Sequence, residues 1–377
     1  MSHTRRWSAS DIATLAAAGV FLACWGLVHV GFWAHDQIVD TPTYQRYGDL
    51  IVNHGKVPYR DFPLEYPPGA LPVFAFPSVF GDYDQAFAWL MAACGVALVA
   101  VVASMRRAAS LFVAVSPLLI GSLVLSRFDL WPALLVAAAL AALIAGVDVV
   151  GWGLLGIGVA AKLWPLALVP VALVWSVRRG RVRAPWAGAA TAALFFVPFG
   201  VVAPHGLWES LRGQASRPLQ IESLGAAFVT TFGHPHVITT HGSQNLAGED
   251  WLAALLVAAT GAALVALWLG FASGPASRDR FLRYAVATAC AVVVFGKVLS
   301  PQFLIWLVPL VPLVRGRRGI AATALLAVAL LLTQVWFPAR YFEYAYQSKL
   351  AGVVLARDLV LVTLLAVLAA PLRNLDP

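Results

Sequence analysis

The chain has 377 residues, of which 60% are hydrophobic and only 12% are charged. An ordinary soluble domain needs about a quarter charged residues to cover its surface, so this composition excludes one. The formal net charge of +8 comes largely from arginine clusters that separate apolar stretches. We therefore interpret the charge as a signal of membrane topology, and we expect no nucleic-acid partner.

The apolar stretches are continuous, as in LLVAAALAALIAG, and lack the alternation of a membrane β-barrel strand. They predict an all-α, polytopic integral membrane helical bundle with about twelve crossings, in a single domain over residues 1–377. The first stretch lacks a signal-peptide cleavage pattern, so we predict an uncleaved first span. The predicted spans are 12–34, 84–105, 109–126, 130–147, 150–161, 163–177, 184–203, 251–271, 284–299, 302–314, 319–337 and 352–370.

The arginine clusters predict the orientation, because cytoplasmic loops are rich in Lys and Arg. If every cluster lies inside, both termini are cytoplasmic. We expect a multi-pass protein of the plasma membrane. The long polar loops 35–83 and 204–250 then lie outside, where we expect them to cap an active site. The clusters are Arg5/Arg6, Arg106/Arg107, Arg178/Arg179/Arg181/Arg183, Arg278/Arg280/Arg283, Arg315/Arg317/Arg318 and Arg373.

Four cations lie at predicted outer turns, within or beside apolar spans: Arg127, Lys162, Lys297 and Arg357. A charge near the bilayer centre costs about 2.5–3.5 kcal/mol, so such residues usually have a function or reach the headgroups. Only Asp129 and Asp358 lie nearby to neutralise them. Proline residues close to Lys162 and Lys297 also indicate helices that stop part-way and open a cavity. Together these features predict a site for a lipid-linked phosphate.

The first polar loop predicts a surface helix that begins at Thr41-Pro42 and ends at Gly55. Asp40 precedes this helix and follows the first span, which suits either a helix cap or a general base at the membrane boundary. Asp36 is the competing candidate for the base.

Further polar residues in the loops suit a sugar or a hydroxyl-rich acceptor. Arg60 is also interpreted as the partner of Asp61 in a local ion pair. The three histidines His234, His236 and His241 form only a weak zinc pattern, so we predict no metal site. The sugar or acceptor candidates are Tyr44, Arg60, Glu65, Tyr66, Asp129, Glu222, Gln244, Asn245 and Gln302.

Several segments resemble the polyprenyl-phosphate-sugar-dependent enzymes of glycosyltransferase family 87, which have the multi-span glycosyltransferase class C fold. They are GKVPYRDFPLEYPPG, SRFDLWPALLV, AAKLWPLALVPVALV, RPLQIESLGA and SPQFLIWLVPLVPL. The resemblance implies an inverting mannosyltransferase on the outer face that takes its sugar from polyprenyl phosphate. It also implies that an aspartate just after the first span is the base, and Asp40 occupies that position.

The expected reaction therefore needs one carboxylate, and phosphate is a good enough leaving group that neither a metal nor a cofactor is required. The expected partners are membrane lipids, a polyprenyl-phosphate-linked sugar and a lipid-anchored glycan acceptor. An arabinofuranose donor remains open. A multi-span transporter is the main alternative, because broken helices and buried charges also suit translocation. A lipid-binding scaffold fits less well, since the outer loops are rich in polar groups.

Overall fold

The computed structural model describes residues 8–33 and 39–370. Asp36, Arg5, Arg6 and Arg373 lie outside these residues. Helices form most of the described chain, as the continuous apolar stretches predict. In the first half they are α1 (Ala9–His29), α2 (Thr41–Val52), α3 (Leu71–Ala75), α4 (Tyr83–Met105), α5 (Arg107–Val115), α6 (Pro117–Ile120), α7 (Leu123–Ser126), α8 (Leu130–Ala145), α9 (Asp148–Ala161) and α10 (Val169–Arg178).

The second half of the chain is built in the same way. Its helices are α11 (Pro185–Val202), α12 (Pro204–Ala215), α13 (Leu224–Phe232), α14 (Asp250–Ala272), α15 (Arg278–Phe295), α16 (Leu304–Leu307), α17 (Gly316–Trp336), α18 (Tyr341–Gln347) and α19 (Ala351–Ala369). Short 3-10 helices cover Pro68–Ala70, Phe76–Val79, Trp164–Leu168, Pro301–Phe303 and Val311–Leu313.

Within the described residues, six helices are long and apolar enough to cross a membrane: α1, α4, α11, α14, α17 and α19. This supports a multi-pass, mainly α-helical membrane protein. Of the remaining predicted spans, 284–299 lies mostly on the 18-residue α15, and the others contain shorter or broken helices. The stretch 109–126 is divided into α5, α6 and α7. The total of about twelve crossings stays a prediction.

The predicted breaks near Lys162 and Lys297 occur where expected. Helix α9 ends at Ala161, and the chain resumes as a 3-10 helix at Trp164. Helix α15 ends at Phe295, and the next helical turn begins at Pro301. Both cations therefore lie on non-helical backbone between helical segments.

An aromatic cluster fixes α2, and with it Asp40, against the bundle. Tyr44 is fully buried, and its ring stacks on Phe74 with the centroids 4.4 Å apart. Phe128 and Tyr66 pack edge-on against it at 5.8 and 5.6 Å. The helix begins at Thr41 as predicted but ends at Val52, before the predicted Gly55. Its buried face carries Tyr44 and Tyr47.

The second polar loop forms a small antiparallel sheet, which the sequence did not predict. Its strands are β1 (Leu219–Gln220), β2 (Val237–Thr240) and β3 (Ser243–Leu246), in the order β1-β3-β2. His241 and Gly242 form the β2–β3 turn, and both have positive φ angles, as a tight hairpin requires.

Arginines of the predicted cytoplasmic clusters donate hydrogen bonds to carbonyl groups at helix ends. Arg278 donates to the carbonyl of Met105 at the end of α4, at 2.9 Å. Arg318 and Arg283 donate to the carbonyl of Ala370, just after α19, at 2.9 and 3.0 Å. A positive side chain is favourable there, because a helix C-terminus carries a partial negative charge. These arginines therefore stabilise helix ends, whatever their role in topology.

Candidate active site

A cavity of about 720 Å³ lies at the end of the bundle where α2, the small sheet and α18 come together. Segments distant in sequence form its walls, namely the start of α2, the turns at Lys162 and Lys297, β1, the β2–β3 turn and one side of α14. The predicted site residues that line it are Asp40, Glu65, Tyr66, Arg127, Lys162, Glu222, Lys297 and Gln302. The predicted site residues that do not line it are Tyr44, Arg60, Asp129, Gln244, Asn245 and Arg357.

Asp40 occupies the N-cap position of α2, yet its side chain makes no capping hydrogen bond. Its carboxylate instead accepts a hydrogen bond from the hydroxyl of Tyr44 at 3.2 Å and forms an ion pair with Arg127. The side chain of Asp40 is 29% exposed, whereas that of Arg127 is only 5% exposed. Two buried groups, Tyr44 and Arg127, therefore orient the carboxylate of Asp40, which lines the cavity.

Lys162 is held by Asp129 and by a set of aromatic rings. Its Nζ lies 2.6 Å from Oδ1 of Asp129, a fully buried side chain that also accepts from Trp306 Nε1 at 2.6 Å. The ammonium group lies 4.8–5.0 Å from the ring centroids of Phe128, Phe303 and Trp306. Asp129 therefore supports Lys162 from behind and has no direct access to a ligand. Asp129 also neutralises most of the positive charge of Lys162 that was expected to bind phosphate.

Replacing Lys162 should destabilise the fold before it affects ligand binding. In Lys162→Met the buried Asp129 carboxylate loses its counter-ion, which typically costs about 3–5 kcal/mol. We expect a clear fall in the midpoint of thermal unfolding in detergent, and recovery of most of it when Asp129→Asn is added. Lys349→Met is the matched control, because Lys349 is exposed. A Lys162→Met protein as stable as the wild type would contradict the structural importance of this pair.

Lys297 and Arg217 supply the cavity cations that have no carboxylate partner within the described residues. Lys297 Nζ donates to the carbonyl of Ala215 at 2.8 Å, and Arg217 donates to Ser243 Oγ at 2.9 Å. The backbone N–H of Gln220 donates to the carbonyl of Lys297 at 3.0 Å, which links the two segments. Both cations also line a neighbouring cavity of about 510 Å³ beside α14. They are therefore available to bind an anion.

Arg357 was expected to contact phosphate, but the structure places it inside the protein. It is fully buried and lies 2.7 Å from Asp358. Its guanidinium donates to the carbonyl of Glu222 at 2.8 Å and lies over the ring of Trp336. Its position on a membrane helix could be read from the sequence, but its partner could not. Arg357 holds the turn between β1 and α13, and so acts on the cavity only through Glu222.

Three other predicted residues contribute to the fold around the site. The amide of Asn245 donates to the carbonyl of Thr240 at 2.9 Å, and Gln244 Oε1 accepts from Thr239 at 2.8 Å, so both stabilise the β2–β3 hairpin. Arg60 forms the surface ion pair with Asp61 at 2.9 Å. Hydrogen bonds from Arg60 and from the N–H of Val57 lower the pKa of Asp61 to about 2. This carboxylate is therefore committed to its local turn.

Glu222 and Gln220 lie side by side on the wall of the cavity, on either side of Ile221. Their side chains are only 2% and 3% exposed. Burial raises the pKa of Glu222 to about 7, against opposing effects of Arg357, Tyr341 and Arg217. Oε2 of Glu222 and Oε1 of Gln220 have no hydrogen-bond partner within the described residues.

One wall of the cavity is apolar and follows α14. Val257, Gly261 and Leu264 line it, together with Val292 on α15. At 1.5 Å per residue, Leu264 lies roughly 21 Å along the helix axis from Asp250, the first residue of α14. The cavity therefore extends from a polar region near Arg217 towards the apolar middle of a predicted span.

Sequence reasoning missed several lining residues. Among them are Arg217, Gln220, Trp164, Trp306 and Tyr341. Arg217 and Gln220 lie within the RPLQIE segment that was already noted, so their polarity gave a usable signal. The two tryptophans and Tyr341 look like ordinary membrane-protein residues in a sequence. Among the described residues, no group of three His, Cys, Asp or Glu side chains is arranged to hold a metal ion.

Comparison with known proteins identifies the family. A search of the curated proteins gives no match. The profile of glycosyltransferase family 87 matches residues 64–301, which is well over half of the chain. The matched range includes Arg127, Lys162, Arg217, Glu222 and Lys297, while Asp40 precedes it. The chain therefore belongs to glycosyltransferase family 87, and is a glycosyltransferase with transmembrane helices.

Proposed function

We propose that this glycosyltransferase moves a sugar, most simply mannose, from polyprenyl phosphate to a lipid-anchored glycan acceptor, with inversion, on the outer face of the plasma membrane. One observation carries the proposal. A single cavity combines the carboxylate of Asp40, the cations Arg217 and Lys297, and an apolar wall along α14. These are the three chemical elements that a lipid phosphate donor and a hydroxyl acceptor require.

The apolar wall favours a lipid-linked donor over a nucleotide sugar. A polyprenyl chain is apolar, and burying it against Val257, Gly261 and Leu264 is favourable by about 25 cal/mol per Å². Alanine and valine make up half of the residues that line the neighbouring cavity beside α14, and Arg217 and Lys297 border both spaces. The phosphate would thus lie between the cations while the chain follows α14 into the membrane. A nucleotide sugar has no group that needs such a wall.

The proposed mechanism is a single displacement. Asp40 removes the proton from the acceptor hydroxyl, and that oxygen attacks the anomeric carbon from the face opposite the phosphate. The bond between the anomeric carbon and the phosphate oxygen breaks, and the electron pair leaves with polyprenyl phosphate. Arg217 and Lys297 stabilise the charge that grows on this phosphate. One carboxylate and two cations perform the reaction, and we propose no metal or cofactor.

A direct assay tests this proposal. Purified protein is incubated with a short-chain polyprenyl-phosphate mannose, with the arabinofuranose analogue, and with GDP-mannose, in the presence of envelope lipids as acceptors. Transfer from the polyprenyl-phosphate mannose with an inverted anomeric configuration supports the proposal. Transfer only from the arabinofuranose donor would replace mannose as the proposed sugar. Transfer only from GDP-mannose would overturn the proposal of a lipid-linked donor. Movement of a substrate across vesicles without transfer would support the transporter alternative, which the broken helices also suit.

Sidedness provides an independent prediction. Cysteine at the exposed position 56 should react with a membrane-impermeant thiol reagent in intact cells, because the loop that holds Lys56 is proposed to lie outside. Cysteine at the exposed position 183 should react only after permeabilisation. The native residues Cys24, Cys94 and Cys290 are buried, so they give little background. The reverse labelling pattern would place the cavity in the cytoplasm and overturn the proposed orientation.

A further inference from the structure

Two buried acceptor atoms on the cavity wall have no donor within the described residues, and this is costly unless a ligand supplies one. Glu222 Oε2 and Gln220 Oε1 are both excluded from solvent. Leaving a buried polar atom unpaired costs about 1–3 kcal/mol, so native proteins rarely do so without a reason. Since both residues line the cavity, the missing donors would come from its occupant.

The backbone that carries these two side chains is held firmly in place. Ile221 lies between Gln220 and Glu222. Its carbonyl accepts a hydrogen bond from the hydroxyl of Tyr344, and the N–H of Ile221 donates to the carbonyl of Gln244 at 3.2 Å. The carbonyl of Glu222 is bound by the buried Arg357. The backbone of the turn is therefore satisfied from three directions while the two side-chain oxygens are not. This arrangement is typical of a preorganised binding site.

We infer that Gln220 and Glu222 form the subsite that recognises hydroxyl groups of the transferred sugar. A sugar hydroxyl donates one hydrogen bond, which matches an amide oxygen and a carboxyl oxygen. Trp164, whose buried Nε1 also has no partner in the described part of the chain, lines the same cavity and supplies a donor for a sugar oxygen. The inference rests on the proposed function, and it adds that this turn sets which sugar is accepted.

The subsite is distinct from the phosphate-binding cations, and the two contributions can be measured separately. The binding of sugar-free polyprenyl phosphate reports only on the phosphate and the chain. The gain in affinity from sugar-free polyprenyl phosphate to polyprenyl-phosphate mannose reports on the sugar. Donors lacking one hydroxyl each, at positions 2, 3, 4 and 6 of the mannose, then identify the groups that the turn recognises.

The test uses Gln220→Leu and Glu222→Gln, with Gln347→Leu and Glu209→Gln as matched controls on exposed residues. We expect the wild type to discriminate against at least one deoxy donor by about 10- to 100-fold, from the cost of an unmade buried hydrogen bond. In Gln220→Leu this discrimination should fall to within about threefold, whereas Glu222→Gln, which keeps an amide oxygen that accepts from a hydroxyl, should lose less of it. The affinity for sugar-free polyprenyl phosphate should stay at the wild-type value.

Thermal unfolding separates recognition from a structural role. Replacing an unpaired buried acceptor should leave the free protein as stable as the wild type or more stable. For Glu222→Gln the gain should appear at pH 8 and vanish near pH 4.5. The reason is that the folded pKa of about 7 lies above the ordinary value of 4.5, so burial disfavours only the ionised form. The other groups that face this carboxyl are the same in the wild type and in Glu222→Gln. They are Tyr341, Tyr344, Arg357, Arg217 and Arg127.

Each remaining outcome is decisive. Unchanged discrimination in both variants overturns the subsite while leaving the lipid-phosphate donor intact. Equal weakening of sugar-free and sugar-bearing lipids, or a loss of stability in both variants, assigns the turn a structural role and also overturns it. A wild-type protein that binds neither lipid overturns the proposed function, and the subsite falls with it.

Discussion

Asp40→Asn should reduce sugar transfer by about 100-fold or more, because the amide cannot accept the proton of the acceptor hydroxyl. The variant is close in shape to the wild type, and its side-chain oxygen can still accept the hydrogen bond from Tyr44. Helix α2 is also anchored by the stacking of Tyr44 on Phe74, which does not depend on the carboxylate. Because the buried Arg127 loses its counter-ion, we expect a less stable protein that still folds and binds its donor but fails in turnover. The measurement is the transfer rate at saturating donor, together with the donor dissociation constant.

The matched control is Asp84→Asn. Asp84 lies exposed in the first turn of α4 and does not line the cavity, so its variant should transfer sugar at the wild-type rate. Thermal unfolding is recorded for both, because Asp40 is also the counter-ion of the buried Arg127. Near-normal turnover in Asp40→Asn would exclude this residue as the base. A loss in Asp36→Asn would then assign the role to Asp36, which lies outside the described residues.

The sequence predicts the helices well, because local rules determine them. A continuous apolar stretch predicts a span at 84–105 and another at 251–271, and the helices run from Tyr83 to Met105 and from Asp250 to Ala272. Proline beside a charged residue predicts the breaks near Lys162 and Lys297. In each case the signal lies within a few residues of the structure that it predicts. The position of Asp40 at the start of α2 follows in the same way.

The pairing of charges could not be predicted, because it depends on how the helices pack. Asp129 binds Lys162 across 33 residues, and Asp40 binds Arg127 across a longer separation. In the sequence the four predicted phosphate ligands look equivalent. In the structure, packing assigns carboxylates to Arg127, Lys162 and Arg357. It also brings Arg217 into the cavity, and in the sequence this residue is only one cation in a polar loop.

The β2–β3 hairpin illustrates a second limit. Gln244 and Asn245 have the right chemistry to bind a sugar, and the sequence gives no reason to exclude them. Their amides are used within the hairpin, whereas Gln220, on the neighbouring strand, keeps a side-chain oxygen unpaired. Only the register of the sheet decides which amide is consumed by the fold and which one is left for a ligand.

Arg217→Met and Lys297→Met should each weaken donor binding by about 10- to 100-fold, and the double variant should be weaker than either. A hydrogen bond to a charged group contributes about 1.5–3 kcal/mol, and 1.4 kcal/mol corresponds to a factor of ten. Methionine keeps an apolar stem of similar length, so the change removes charge and little packing. The turnover number should fall together with the affinity, because the phosphate gains charge in the transition state.

A comparison of two lipids makes this test specific for phosphate. The wild type should bind polyprenyl phosphate more tightly than the uncharged polyprenol, and the double variant should lose most of that preference while binding polyprenol normally. Arg46→Met and Lys56→Met remove exposed cations from the first polar loop, so they control for general attraction to anionic lipids. If the double variant kept the preference for polyprenyl phosphate, the phosphate would have to bind beside Arg127 and Lys162. Because Arg127 and Lys162 already neutralise Asp40 and Asp129, phosphate binding there would require these two ion pairs to open when the donor binds.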